Sequence, residues 1–155
     1  MMAPIGDRGI MAGAMSATND SSEPTLRDAA LAAHARAHCP YSGYAVGAAV
    51  RTASGRVFAG CNVENAAYPE GTCAETAAIA AMVLAGERDI VEVAVVTAGD
   101  EPGTPCGGCR QRLREFTRPD AVVYASTVDG AALVTTMAEM LPDSFGPERL
   151  PVAQD

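Results

Sequence analysis

The sequence predicts an α/β fold, a three-layer α-β-α sandwich with helices packed on both faces of a mixed β-sheet. Two observations carry this. Helical and β-branched segments follow one another in the order αββαβαβα, which builds a sheet covered by helices. One helical segment, 74–85, is apolar nearly all round, so it needs cover on every side.

The elements follow in order. Thr25 with Asp28 three residues on forms a capping box, the acid also suiting the helix dipole. A helix is expected from about Leu26 to Cys39, stopping before Pro40. Ala45–Thr52 and Arg56–Cys61 are two strands of a hairpin turned by Ala53-Ser54-Gly55. Ala74–Ala85 is a central buried helix ended by Gly86. Val91–Ala98 is β-branched and suits a buried strand. Cys106–Phe116 is a helix with Arg110, Arg112 and Arg114 on an exposed face. Ala121–Thr127 is a strand, and Ala132–Met140 a last helix closed by Pro142.

The chain has 155 residues, with 11 Lys+Arg against 19 Asp+Glu and a net charge of −8. That length suits one core-forming domain over 23–155. Residues 1–22 are expected to be a disordered leader rather than a secretory signal: Asp7 offsets Arg8, and Gly13 interrupts the apolar Ile10–Met15. Met11 and Met15 are alternative starts. The acid balance disfavours gripping a phosphate backbone. The longest apolar run, Ala77–Ala85, is about half of the ~20 residues a bilayer span requires. Neither nucleic acid nor a membrane is therefore an expected partner. A mean hydropathy of +0.08 opposes bulk disorder. Five cysteines fit a disulfide framework poorly and favour a reducing, cytoplasmic setting.

Three of those cysteines carry the chemistry. Cys73 opens the buried helix, and Cys106 and Cys109 open the next within Pro105-Cys106-Gly107-Gly108-Cys109. Thiols among the unpaired N–H groups of a helix start are drawn toward thiolate. Residues three apart share a face, so the second pair can reach one ion. Three thiolates from two helix tips make a tetrahedral zinc site with an open vertex, where water can be acidified. Glu75, two residues after Cys73, is placed to move that water's proton. A metal ligand, x-Glu and then Pro-Cys-x-x-Cys is the signature of zinc nucleobase deaminases.

Further segments make the chain similar to the small, homotetrameric cytidine deaminases over about residues 26–150. They are Pro40-Tyr41-Ser42-Gly43-Tyr44-Ala45-Val46-Gly47-Ala48-Ala49, Asn62-Val63-Glu64-Asn65-Ala66-Ala67-Tyr68-Pro69 and Phe145-Gly146-Pro147-Glu148. The resemblance implies hydrolysis of cytidine and 2'-deoxycytidine to the uridines with release of ammonia, in pyrimidine salvage. It implies zinc-activated hydroxide attacking C4, with Glu75 shuttling the proton. Cys73, Cys106 and Cys109 would hold one Zn2+ per subunit. Asn62 and Glu64 would bind the ribose hydroxyls, the Ala74 amide the base carbonyl, and Tyr44 the pyrimidine face. Phe145 would reach a neighbouring subunit's site, making a homotetramer of completed sites.

Two departures matter. Tyr44 stands where the family usually has Phe, and its hydroxyl needs a partner if buried. Thr76 stands where relatives commonly carry an Arg that donates to the thiolates. The helix N-termini, with Arg110 or the Thr76 hydroxyl, are then left to balance a site of net charge about −1.

Plainer alternatives were open. A Cys-x-x-Cys pair by itself can be a structural or redox element, so a non-catalytic zinc-stabilised module is one rival; Glu75 beside an open vertex opposes it. A blasticidin-type antibiotic deaminase is another, opposed by Asn62-Val63-Glu64-Asn65. Cys39 and Cys61 suit buried free thiols. His34 and His38, four apart on one helix face, suit a surface or interface. Glu70 suits a loop charge, and Gln111 the ordering of hydrogen bonds around the site.

Overall fold

A computed structural model describes residues 25–151; the leader expected over 1–22 lies outside them. The elements are α1 (Leu26–His34), β1 (Val46–Thr52), β2 (Val57–Cys61), α2 (Ala74–Leu84), β3 (Ile90–Thr97), α3 (Gly107–Arg114), β4 (Thr117–Thr127), β5 (Ala132–Thr136) and α4 (Met137–Met140). Short 3-10 turns cover Tyr68–Glu70 and Pro147–Arg149. Among the described residues no helix is long and apolar enough to cross a membrane.

The sheet order is β2-β1-β3-β4-β5. β1 pairs antiparallel with both β2 and β3, β3 parallel with β4, and β4 antiparallel with β5. The sheet is therefore mixed, as expected, and α3 makes the crossover between its parallel pair. β3 alternates between two cores. Val93 and Val95 pack with Ala78, Met82 and Leu113, whereas Ala94 and Val96 pack with Leu26 and Ala30. A strand covered on both faces must be apolar throughout, which is why 90–97 lacks the alternation of a half-exposed strand.

Two glycines let the helices close on the sheet. Gly47 of β1 lies against the α1 backbone at Ala30 and His34, leaving no room for a side chain. Gly60 of β2 does the same on the other face, under Ala74 and Ala78 of α2. Close backbone approach is a use for which glycine alone is suited.

The hairpin turn and capping box are as expected. Gly55 takes a φ of 87° at the turn. Thr25 Oγ1 accepts from the Asp28 N–H at 3.2 Å, and Asp28 Oδ2 accepts from the Thr25 N–H at 3.0 Å.

Three expectations are corrected. Helix α1 ends at His34, not Cys39: the His38 N–H is taken by the Asn62 carbonyl at 3.0 Å and its carbonyl by the Glu64 N–H at 2.7 Å, a bridge the helix cannot accommodate. His34 and His38 consequently share no helix face. The last helix, expected over 132–140, is instead strand β5 followed by the single turn α4. β5 pairs with β4 from Ala132↔Ser126 to Thr136↔Val122, and its β-branched Val134, Thr135 and Thr136 suit that ladder. Thr136 and Glu139 then form a capping box that starts α4.

Candidate active site

Helices α2 and α3 begin side by side. Cys73 and Cys106 are their N-cap residues. Cys109, one turn into α3, is fully buried. The sulfurs of Cys73, Cys106 and Cys109 lie within 4.8 Å of one another. Zinc–sulfur bonds of about 2.3 Å in tetrahedral array place sulfurs roughly 3.8 Å apart, so the trio suits one ion. Among the described residues no histidine or carboxylate joins this ligand group.

The thiols do not all behave as helix-start thiols were expected to. Cys106 is drawn toward thiolate, chiefly by the Cys109 N–H. Cys73 is pushed the other way, because burial first, and then the charges of Cys106 and Glu75, outweigh a hydrogen bond with Cys109. Cys109 is raised further, by burial and then by Glu75. Three crowded thiols beside a carboxylate lack positive charge, and a metal cation supplies it.

Glu75 is only 4% exposed. Its Oε2 accepts from the Cys109 thiol at 3.3 Å, so the carboxylate lies directly against the ligand cluster. Both front a cavity of about 300 Å³, whose walls include Tyr44, Asn62, Glu64 and Ala74. Residues 44–46, 62–64, 71–75, 95–97 and 103–106 thus meet around one space of nucleoside size. As the first residue of α2, Ala74 carries an N–H with no intrahelical acceptor.

Asn62 is already half committed. Its Oδ1 accepts from the Val46 N–H at 2.8 Å and its Nδ2 donates to the Tyr44 carbonyl at 2.9 Å. It therefore clamps the loop that carries Tyr44, with one N–H and one lone pair left over. Glu64 accepts from the Tyr41 N–H at 2.9 Å, from the Ser42 N–H at 3.2 Å and from the Ser42 hydroxyl. These bonds, the hydroxyl first, hold its carboxyl below the usual carboxylate range.

Phe145 is not in its own subunit's cavity. The residue is 57% exposed, while Gln111 Nε2 donates to its carbonyl at 2.9 Å. Gln111 is thus occupied with the C-terminal segment. Arg110 donates to the Pro105 and Met140 carbonyls and to Thr104 Oγ1, at 2.8, 3.0 and 3.0 Å. Its guanidinium braces the approach to Cys106. The Thr76 hydroxyl is buried without a hydrogen-bond partner. Cys39 and Cys61 are free but half-buried rather than core residues. Glu70 is exposed in its turn.

Sequence reasoning missed the far wall. Thr97 and Gly103 line the cavity, tied by a bond from the Gly103 N–H to Thr97 Oγ1 at 2.9 Å. A methyl at Gly103 would meet both Thr97 and the Tyr44 hydroxyl, so that hydroxyl leans against the 98–106 loop. Ser42 was missed too, although Ser42-Gly43 beside Tyr44 is a turn signal: Ser42 Oγ accepts from the Tyr44 N–H at 3.0 Å.

The family model "Cytidine and deoxycytidylate deaminase zinc-binding region" matches residues 20–126. A cytidine deaminase of Sporosarcina psychrophila is 39% identical over 123 residues, 79% of this chain and 90% of that relative. One of Halalkalibacterium halodurans is 40% identical over 119 residues, 77% and 90%. The crystal structure of cytidine deaminase from Burkholderia pseudomallei matches with a TM-score of 0.74 at 43% identity, covering 77% of this chain and 96% of that one.

Proposed function

This chain belongs to the cytidine and deoxycytidylate deaminase family, and we propose that it hydrolyses free cytidine and 2'-deoxycytidine to uridine and 2'-deoxyuridine. The observation that carries this is Glu75: a buried carboxylate touching a ligand cysteine at the wall of a nucleoside-sized cavity. A purely structural metal site has no use for it. Residues 23–155 act as the single catalytic domain.

Cys73, Cys106 and Cys109 hold one zinc ion, which when bound acts as a Lewis acid and makes water acidic enough to react near neutral pH. The chain's residues do the rest. Glu75 takes the proton of the attacking water and passes it to N3 of the cytosine ring as the new C4–O bond forms. It then takes the remaining proton from the new C4 hydroxyl and hands it to the C4 amino group; C4–O becomes the carbonyl as the C4–N bond breaks, and ammonia leaves. The Ala74 N–H holds the base carbonyl, and Tyr44 packs on the pyrimidine. The spare N–H of Asn62 and the charged Glu64 bind the ribose hydroxyls. A homotetramer supplies Phe145 to a neighbouring cavity, a role supported by its bare ring. Five cysteines in no disulfide framework support a reducing cytoplasm as the compartment.

Two measurements check this directly. Purified protein is expected to deplete the absorbance of cytidine and deoxycytidine; turnover of neither, nor of 5-methylcytidine, overturns the proposal, and turnover of blasticidin alone assigns the antibiotic instead. Thr76→Val tests charge balance. An idle buried hydroxyl costs about 1–3 kcal/mol, so its removal alone should stabilise the protein. We expect the opposite in function, reduced zinc content by elemental analysis, because the hydroxyl sits three residues after Cys73 on the same helical face. Wild-type zinc content would refute that role.

A further inference from the structure

The segment that carries Phe145 is held by a device distinct from the catalytic groups. After Asp143, whose φ of 52° turns the chain, residues 144–148 run along the outer side of α3. Gln111 donates to the Phe145 carbonyl. Arg114 Nε donates to Ser144 Oγ at 2.9 Å, and Nη2 pairs with Glu148 Oε1 at 2.6 Å. The Arg114 side chain is only 14% exposed, whereas isolated surface ion pairs contribute little because solvent screens them. Gly146 completes the fit: a Cβ there would collide with the guanidinium and with the Glu148 carboxylate. Bonds thus fall on residue 144, on the backbone of 145 and on residue 148, and the one large apolar group between them, the Phe145 ring, points to solvent.

We propose that Gln111 and Arg114 are positioning residues that hold this segment so that Phe145 enters the nucleoside cavity of a second copy of the chain. The inference rests on the reading that Phe145 serves a neighbour's site. The cavity wall includes the apolar Val46, Val63, Ala74 and Val95, and an aromatic ring fixed in advance contributes more to binding than one that must be ordered. The same helix then does two jobs: its first turn presents Cys106 and Cys109 at home, and its later turns aim an aromatic at the neighbour.

The experiment is steady-state kinetics with zinc content on F145A, R114A, R114K, G146A and the R114A/F145A double variant. G146A displaces the guanidinium while leaving every partner present, and R114K keeps the charge without the fork that reaches Ser144. Truncating a well-placed aromatic anchor costs about tenfold or more. F145A, R114A and G146A are therefore expected to raise KM for cytidine about tenfold, with kcat within about twofold and zinc unchanged. R114K should recover part of the loss. The double variant should match F145A alone, because both changes remove one interaction. Additive losses, or R114A lowering kcat with KM unchanged, overturn the positioning role while a raised KM in F145A keeps the underlying reading. An unchanged KM in F145A overturns both.

Discussion

Glu75→Ala is expected to cut cytidine turnover by about 10³-fold or more, at the upper end of what one positioned proton carrier contributes, while one zinc stays bound. Glu75 lies two residues after Cys73 and is no member of the three-sulfur group; it touches that group only as the acceptor of the Cys109 thiol. Removing it takes a proton shuttle from the cavity and leaves the metal's donors in place. Glu75→Gln sharpens the test, since the amide keeps the volume and an accepting oxygen but cannot carry the proton. Both variants should show the same loss in turnover, and Gln should keep the thermal midpoint near that of the parent. Elemental analysis beside the kinetics decides the matter. Zinc lost in step with activity would mean that the carboxylate holds the site together and does not shuttle protons.

The second large effect is expected at Cys109. Cys109→Ala should release zinc, bring turnover to background and lower the thermal midpoint, because metal that binds only the folded chain adds its binding energy to stability. Cys109 is buried between the start of α3 and Glu75, so no outside ligand substitutes easily for its sulfur. Treating the unaltered protein with a chelator should reach the same midpoint from the other direction. Cys61→Ala is the control: its thiol faces the Arg36 carbonyl at 3.6 Å on β2, and zinc content and turnover should be unchanged. A Cys109 variant that still holds one zinc and turns over cytidine would remove the three-thiolate assignment.

The sequence made much of this legible, and the limits have physical causes. Helix α2 is dense in strong helix formers and ends before Gly86, so local propensity and tertiary need agree. The zinc ligands and Glu75 stand in two short groups, 73–75 and 106–109, each at a helix start, so the spacing within each group exposed them. The segment 132–140 failed because good helix formers flank a β-branched middle, and the ladder with β4 overrode them; Thr136 with Glu139 was a usable start signal for α4. Helix α1 ran short because His38 is claimed by residues 62 and 64, a long-range pairing with no periodic trace. Thr97 and Gly103 escaped for the same reason. Thr97 ends β3, and Gly103 reaches the cavity through the following loop, whose course depends on the folded sheet. The pull of helix starts on thiols held for Cys106 alone, since burial is invisible in a spacing pattern.

Gly60 of β2 lies outside the site. It belongs neither to the sulfur cluster nor to the cavity wall, yet α2 rests on it directly, and Cys73, Ala74 and Glu75 form the start of α2. One hydrogen atom in place of a methyl group thus sets the height at which a sulfur of the cluster, a helix-start N–H and a buried carboxylate stand above the sheet. Gly47 does the same for α1 on the opposite face, one strand away. Both helices sit directly on the sheet backbone there, and alignment of the site becomes a matter of layer spacing. A change that thickened the layers by a fraction of an ångström would misalign the chemistry long before it unfolded the chain.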